Sequence, residues 1–168
     1  TFFRDGVRVR EINRDNHYSE HWQHLDTIRP VIKFMPGDVI TTTCLFDTTK
    51  RSGVVLGGYG IMDEMCVAFT YYYPAIDLEE CKSAVNNDTL HRFFRDKGVK
   101  TSSLSIAEKY RAVEWDEENV RDLAELFAVS PLNMQCMRTD ESTFPGHPTN
   151  WTKIEMPQLK FGAGKSER

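Results

Sequence analysis

The sequence has no excess of basic residues. Its 21 Lys and Arg are outnumbered by 25 Asp and Glu, which gives a formal net charge of −4. A protein that binds nucleic acid or an anionic membrane through its overall charge needs a positive balance, so this composition excludes that general mode of binding. We therefore expect no nucleic-acid partner.

Long apolar runs and common catalytic signatures are also missing. The sequence has no run of about 18 apolar residues, the length needed to cross a bilayer, and no signal peptide is visible. No internal repeat, P-loop, GxSxG or HExxH motif is present, so the usual signatures of nucleotide-binding, serine-hydrolase and zinc-protease sites are absent. The 168 residues are 40% apolar and 27% charged, as in an ordinary soluble domain. Because the chain opens with Thr-Phe-Phe-Arg, we expect it to be a piece of a longer protein.

Cysteine spacing and glycosylation motifs indicate the compartment. The sequence has four cysteines but no CxxC pair, which argues against a zinc knuckle or a thioredoxin-type redox pair. Asn87-Asp88-Thr89 and Asn150-Trp151-Thr152 match the N-glycosylation motif, so Asn87 and Asn150 are candidate glycan acceptors. Together with the even cysteine count, these motifs favour an oxidising, secretory compartment over the cytosol.

The densest chemistry lies in Gly57–Pro74, GGYGIMDEMCVAFTYYYP, which joins a glycine-rich turn to a Met-Cys pair and an aromatic run. The aromatic run predicts a strand over Met65–Tyr73. Period-two alternation places Cys66 on the face opposite Met65, while Val67, Phe69, Tyr71 and Tyr73 share the Met65 face. The thioether of Met65 suits a core filler or a ligand for a soft metal such as Cu(I), and spacing alone favours the filler.

Three histidines, His17, His21 and His24, stand at i, i+4 and i+7. On a helix they would share one face and form a possible metal site. The segment is rich in poor helix formers, however, and it lacks the Glu that a zinc protease places between its histidines. A loop or irregular strand without a metal is therefore the favoured interpretation.

The rest of the chain predicts short strands followed by short helices. Asp5-Gly6 predicts a hairpin over residues 1–12, and Met35-Pro36-Gly37-Asp38 predicts a turn between two β-rich runs. The predicted strands are Ile28–Phe34, Val39–Phe46, Leu132–Met137 and Trp151–Met156. The predicted helical pieces are Leu78–Val85 and Thr89–Phe94, capped by Asp77 and Asp88, and Asp116–Val129, with Val120, Leu123 and Phe127 toward the core.

Particular motifs carry a family resemblance. DNHYSEHWQ (15–23), PGDVITTTC (36–44), GGYGIMDEMC (57–66) and YYYP followed by LEECKSAV (71–85) resemble the copper type II, ascorbate-dependent monooxygenases, in particular those that hydroxylate dopamine and tyramine. The resemblance implies that residues 1–157 belong to the C-terminal catalytic copper domain, with residues 158–168 as a disordered tail. It also implies a mainly β fold, an antiparallel β-sandwich of jelly-roll type with a few short helices in the C-terminal half.

The resemblance also implies a site. Met65 would bind the copper at which O₂ is activated, and Cys66 would pair with Cys44. Phe69 and Tyr71 share the Met65 face of the predicted strand and are candidate substrate-site residues, and Asp63 and Glu64 are candidates for supporting the ligand. Similar enzymes carry Tyr at the position of Phe69, so a hydroxyl is lost there. The implied reaction inserts one oxygen atom of O₂ into a benzylic C–H bond of a phenylethylamine-like substrate, with ascorbate as reductant and two coppers in the full-length enzyme.

Some implied parts lie outside the chain. The two histidine ligands would form a His-x-His pair upstream of Thr1, and the second copper would sit in an N-terminal domain, so we expect the chain alone to be inactive. Cys81 and Cys136 match cysteines whose partners are also upstream, which would leave them free or mispaired. The implied location is the secretory pathway, a vesicle lumen or the extracellular space. The alternative function is a secreted, non-catalytic β-sandwich binding module that has lost its metal.

Overall fold

A computed structural model describes residues 1–100 and 103–144 and the backbone of residues 152–154. The chain divides into two compact units. The first contains Thr1–Lys50 and Val55–Phe69, and the second contains Arg51–Val54 and the described residues from Thr70 onward. The predicted tail at 158–168 lies outside the described residues. Among the described residues, no helix has the length and apolar character needed to cross a membrane.

The first unit is built on a three-stranded antiparallel sheet. Its strands are β1 (Phe2–Arg4), β2 (Val7–Arg10) and β3 (Val39–Ile40), in the order β2-β1-β3. The predicted hairpin is confirmed, with Asp5 and Gly6 at φ 51° and 74° in the turn that joins β1 to β2. β1 is the central strand, so its Phe2 and Phe3 are buried, and the Phe2 ring packs edge-on against Phe34 at 5.0 Å.

An ion pair fixes the approach to β3. Arg4 donates from Nε and Nη2 to the two carboxylate oxygens of Asp38, at 2.9 and 2.7 Å, and from Nη2 to the Lys33 carbonyl at 2.9 Å. The Arg4 guanidinium holds the pKa of Asp38 below its ordinary value. Asp38 also closes the predicted Met35–Asp38 turn, which is confirmed: its amide donates to the Met35 carbonyl at 3.0 Å. The sequence pattern is therefore right about this turn.

The predicted strands around this sheet are largely wrong. Ile28–Phe34 is not a strand, Val39–Phe46 keeps only Val39 and Ile40, and Met65–Tyr73 joins no sheet in the described part of the chain. The physical reason is that a strand needs a hydrogen-bonded neighbour, and β propensity alone does not supply one. His17, His21 and His24 lie in a loop, as the favoured interpretation predicted.

The second unit combines a sheet with three helices. Its strands are β4 (Glu80–Val85), β5 (Leu132–Met137) and β6 (Thr152–Ile154), in the order β4-β5-β6 and all antiparallel. Its helices are α1 (Asn87–Asp96), α2 (Ile106–Ala112) and α3 (Glu117–Val129). Leu90, Phe93, Phe94, Val99 and Val113 form the buried core, against which Tyr110, Trp115, Leu123 and Leu126 pack.

Several predictions for this unit are confirmed and others are wrong. α3, with Asp116 as N-cap, and the strand Leu132–Met137 are confirmed. The helix predicted over Leu78–Val85 is wrong, because these residues pair with β5. Val120 and Phe127 on α3 are exposed, and Leu126 takes the core position beside Leu123.

The two cysteines that were expected to be free or mispaired lie directly opposite each other in the β4–β5 ladder. Cys81 pairs in register with Cys136, their Cα atoms are 4.1 Å apart, and the structure joins them in a disulfide. Neither is therefore free. The strand pairing itself brings the two sulfurs together, and local sequence does not reveal a pairing between residues 55 positions apart.

Taken together, the described residues form two antiparallel sheets and three helices without a barrel. The antiparallel β character of the predicted fold is confirmed. The jelly-roll sandwich stays a prediction.

Candidate functional site

A hydrogen-bonded loop, residues 56–64, leads directly into Met65. The Glu64 amide donates to the Leu56 carbonyl at 3.0 Å, and the Gly58 amide donates to the Glu64 carbonyl at 3.3 Å. These two bonds close the loop at its ends. We call residues 56–64 the closed loop.

Asp63 folds back across the interior of the closed loop. Its Oδ2 accepts from the Gly60 amide at 2.9 Å, and its own amide donates to the Gly60 carbonyl at 2.9 Å. A Cβ added at Gly58 would lie 2.3 Å from Asp63 Oδ2 and 2.7 Å from Cγ, and one added at Gly60 would lie 2.9 Å from Oδ2. At these two positions the Asp63 carboxylate occupies the space that a side chain would fill, so a larger residue there would displace the carboxylate.

A disulfide fixes the other side of Met65. The structure joins Cys66 to Cys44, with the two Cα atoms 5.7 Å apart, which is the pairing that the family resemblance implies. Met65 therefore lies between a residue that closes a hydrogen-bonded loop and a residue that is covalently tied to another segment. Its backbone is held on both sides, while its side chain is 44% exposed.

The exposed thioether of Met65 fits a role as one copper ligand. Sulfur of this type is soft and favours Cu(I), and the exposure of Met65 leaves it accessible to a metal. Among the described residues, however, no group of three or more His, Cys, Asp or Glu side chains is placed to hold a metal ion. The three-histidine metal site therefore finds no support in the described part of the chain.

The histidines of the loop point to separate partners. His21 lies 3.6 Å from a Glu20 carboxylate oxygen, and His24 lies 3.5 Å from an Asp26 carboxylate oxygen. Each of these side chains contacts an acid next to it or two residues away in sequence. Local pairing of this kind is typical of an exposed loop and does not form a shared coordination site.

Phe69 and Tyr71, the predicted substrate-site residues, are both 85% exposed. Phe69 belongs to the first unit with Met65, and Tyr71 belongs to the second. Neither ring stacks on an aromatic ring of another described residue. Both rings are free to contact an apolar partner, but the described residues do not form a pocket around them.

The candidate glycan acceptor Asn87 is exposed at the first position of α1, next to the buried N-cap Asn86. Asn150 lies outside the described residues. The sequence does not predict two features near these sites. One is the backbone closure between Leu56 and Glu64, which no motif indicates. The other is the N-cap of α1, which is Asn86 and not the predicted Asp88. An Asn directly before the helical stretch is the signal that identifies Asn86.

Comparison with known protein sequences identifies the family of the chain. A sequence model of the copper type II ascorbate-dependent monooxygenase C-terminal domain matches residues 1–94, more than half of the chain. The chain belongs to this family. Residues 56–66, which contain the closed loop, Met65 and Cys66, lie within the matched region.

Relatives in the family match nearly the whole chain. The tyramine beta-hydroxylase of Caenorhabditis briggsae is 40% identical over 167 residues, covering 96% of this chain and 28% of that protein. The dopamine beta-hydroxylase of Bos taurus is 36% identical over 163 residues, covering 93% and 26%. The DBH-like monooxygenase protein 1 of Gallus gallus is 25% identical over 172 residues, covering 92% and 28%. The chain therefore spans about a quarter of the length of the relatives that it matches.

Proposed function

We propose that this chain is part of a copper- and ascorbate-dependent monooxygenase that inserts one oxygen atom of O₂ into a benzylic C–H bond of a phenylethylamine-like substrate. The observation that carries the proposal is Met65, an exposed thioether whose flanking residues are both fixed, in a chain that belongs to this family. The names of two relatives, tyramine and dopamine beta-hydroxylase, support the choice of substrate class.

In this proposal Met65 would hold copper through its sulfur, and the closed loop and the Cys44–Cys66 disulfide would hold the backbone on both sides of it. Bound copper supplies one-electron redox chemistry and the activation of O₂. As a soft thioether ligand, Met65 would favour Cu(I), the reduced state that ascorbate as reductant would supply. The chain's own contribution is thus the placement of one soft ligand.

The remaining ligands are proposed to come from the rest of a longer protein. The described residues contain no cluster that completes a metal site, and the relatives are about four times as long as the matched region. We infer that a His-x-His pair completes this site and that a second copper domain supplies electrons. The 168-residue chain alone would then be inactive.

The substrate is proposed to contact Phe69 and Tyr71. Both rings are exposed and apolar, which suits the aromatic ring of an amine substrate. Phe69 offers no hydroxyl, so its contact would be an apolar packing contact rather than a hydrogen bond. Tyr71 keeps a phenolic group that can donate or accept a hydrogen bond.

The fold and location follow the same proposal. We propose that residues 1–157 form part of a jelly-roll sandwich, with residues 158–168 as a tail. The exposed apolar side chains of Val67 and Tyr73 support this because further strands of the whole domain would cover them. Two disulfides support a secretory location, in a vesicle lumen or outside the cell. The exposed position of Asn87 supports glycosylation there, and we propose a second glycan at Asn150.

The test replaces Met65 with Ile in the longer protein. We expect the affinity for Cu(I) at this site to fall about tenfold or more, and hydroxylation of tyramine or dopamine to fall with it, since the soft ligand is lost. Met35→Ile is the matched control, because Met35 is 47% exposed and Met65 is 44% exposed. Unchanged copper affinity and hydroxylation in Met65→Ile would show that Met65 is not a ligand and that the proposal is wrong.

A further inference from the structure

The closed loop contains a side chain whose position bears on Met65. Asp63 is two residues before Met65, and its carboxylate lies across Gly58 and Gly60 inside the loop. Glu64, the residue between them, takes part in the loop through its backbone amide and carbonyl only, among the contacts of the described residues. Of the two adjacent acids, Asp63 therefore contacts the loop through its side chain and Glu64 through its backbone.

From this difference we propose that Asp63 is a positioning residue for Met65: its carboxylate shapes the closed loop so that the Met65 sulfur stands ready for copper. This inference rests on the proposed function and deepens it. Asp63 does not contact the metal in this proposal. It acts through the loop, and Met65 is the group that binds.

The geometry explains why a side chain is needed for this task. The loop brings Glu64 back beside Gly57 in a parallel bridge, with only two backbone bonds between its ends. The Asp63 carboxylate adds a third constraint in the middle by accepting from the Gly60 amide, and the paired Asp63 amide to Gly60 carbonyl bond makes the contact reciprocal. Without the carboxylate, the Gly60 amide loses its partner, and the glycine residues gain conformational freedom.

The two glycines show that the carboxylate and the loop fit each other closely. Alanine at Gly58 would bring its methyl group to 2.3 Å from Oδ2, 2.7 Å from Cγ and 3.0 Å from Cβ of Asp63. The carboxylate would have to leave its place and give up the bond to Gly60. Gly58→Ala and Asp63→Ala therefore act on the same contact, and their effects are expected not to add.

The experiment uses the longer protein and a titration with Cu(I) alone. We expect Asp63→Ala to weaken the affinity of the Met65 site for Cu(I) by about 10- to 100-fold and to reduce the copper–sulfur signal in X-ray absorption. Asp63→Asn keeps an acceptor oxygen and should stay near the original affinity. Glu20→Ala is the control, an equal loss of charge in the same unit but outside the closed loop, and should leave the affinity unchanged.

A second measurement uses metal-free protein and is independent of activity. The Gly60 amide should exchange its hydrogen roughly fivefold faster in Asp63→Ala, because its acceptor is gone, while the thermal midpoint stays close to that of the original protein. The double variant Gly58→Ala/Asp63→Ala should bind Cu(I) about as weakly as Asp63→Ala alone.

The outcomes separate this inference from the proposed function. If Met65→Ile removes the copper–sulfur signal but Asp63→Ala leaves affinity and signal intact, Met65 is a ligand and Asp63 does not position it. If Glu20→Ala weakens binding as much as Asp63→Ala, the effect is one of charge and the positioning role is refuted. If Met65→Ile changes nothing, the proposed function itself fails.

Discussion

Asn86 connects α1 to β5 in the second unit, and its replacement by Ala is expected to be costly. Its Oδ1 accepts from the amides of Asp88 and Thr89 at 3.1 and 3.2 Å, which caps α1. Its Nδ2 donates to Oδ1 of Asn133 on β5 at 2.9 Å, in a buried contact. Both Asn86 and Asn133 are more than nine-tenths buried, so water does not replace a lost partner.

The magnitude follows from these two roles. Loss of an N-cap side chain costs about 1 kcal/mol, and a buried acceptor left without a donor costs about 1–3 kcal/mol. Asn86→Ala should therefore lower the free energy of unfolding of this unit by about 2–4 kcal/mol. Asn86→Ser keeps an oxygen that can cap the helix but is too short to reach Asn133, so it should recover about 1 kcal/mol of the loss.

The assay is urea unfolding, monitored by the NMR signal of the Trp115 indole N–H. This group is a suitable probe because it donates to the Tyr110 carbonyl at 2.8 Å and Trp115 packs against the core of this unit. The control is Asn133→Ala, alone and combined with Asn86→Ala. Because the two side chains are partners, the double variant should lose about 1–2 kcal/mol less than the sum of the single losses. Equal losses for Ala and Ser at position 86, with full additivity in the double variant, would refute the reasoning.

Two further predictions concern charge and modification. The Arg4 ion pair lowers the pKa of Asp38 below its ordinary value of 3.8, so the contribution of Asp38 to folding stability is present above its unfolded pKa and is lost as the pH falls through its folded pKa. Asp38→Asn should therefore reduce the loss of stability seen below about pH 4. An unchanged acid unfolding curve, followed by circular dichroism, would contradict this. In protein secreted by eukaryotic cells, Asn87→Gln should lower the measured mass by one glycan. Asn119→Gln is the control, because Asn119 lies outside any N-glycosylation motif, and it should not change the glycan mass. An unchanged glycan mass in Asn87→Gln would show that Asn87 carries no glycan.

Local signals in the sequence predict the parts of the fold that local contacts stabilise. The hairpin at Asp5-Gly6 and the capped helix α3 depend on residues close in sequence, and both were predicted correctly. α2 was missed although Ser105 and Glu108 form a capping box, with Glu108 Oε2 accepting from the Ser105 amide at 2.8 Å. That Ser-x-x-Glu pattern is the signal that would have found the helix.

The failures share a non-local cause. Glu80–Val85 contains helix-favouring residues, yet it pairs with β5 about 50 residues later, and tertiary pairing overrides weak propensity. At the site, the importance of Met65 came from a family motif. The fit of Asp63 over Gly58 required coordinates, because no residue pattern states how near two atoms approach.

The segment from Met65 to Tyr73 affects the solubility of the isolated chain. Val67, Phe69, Tyr71 and Tyr73 are between 51% and 85% exposed, and no sheet in the described residues includes them. An uncovered, β-prone segment with free backbone groups is a template for edge-to-edge pairing between molecules. When produced alone, the 168-residue chain is therefore expected to self-associate through this segment, and the concentration at which it precipitates would measure how strongly the segment needs a cover.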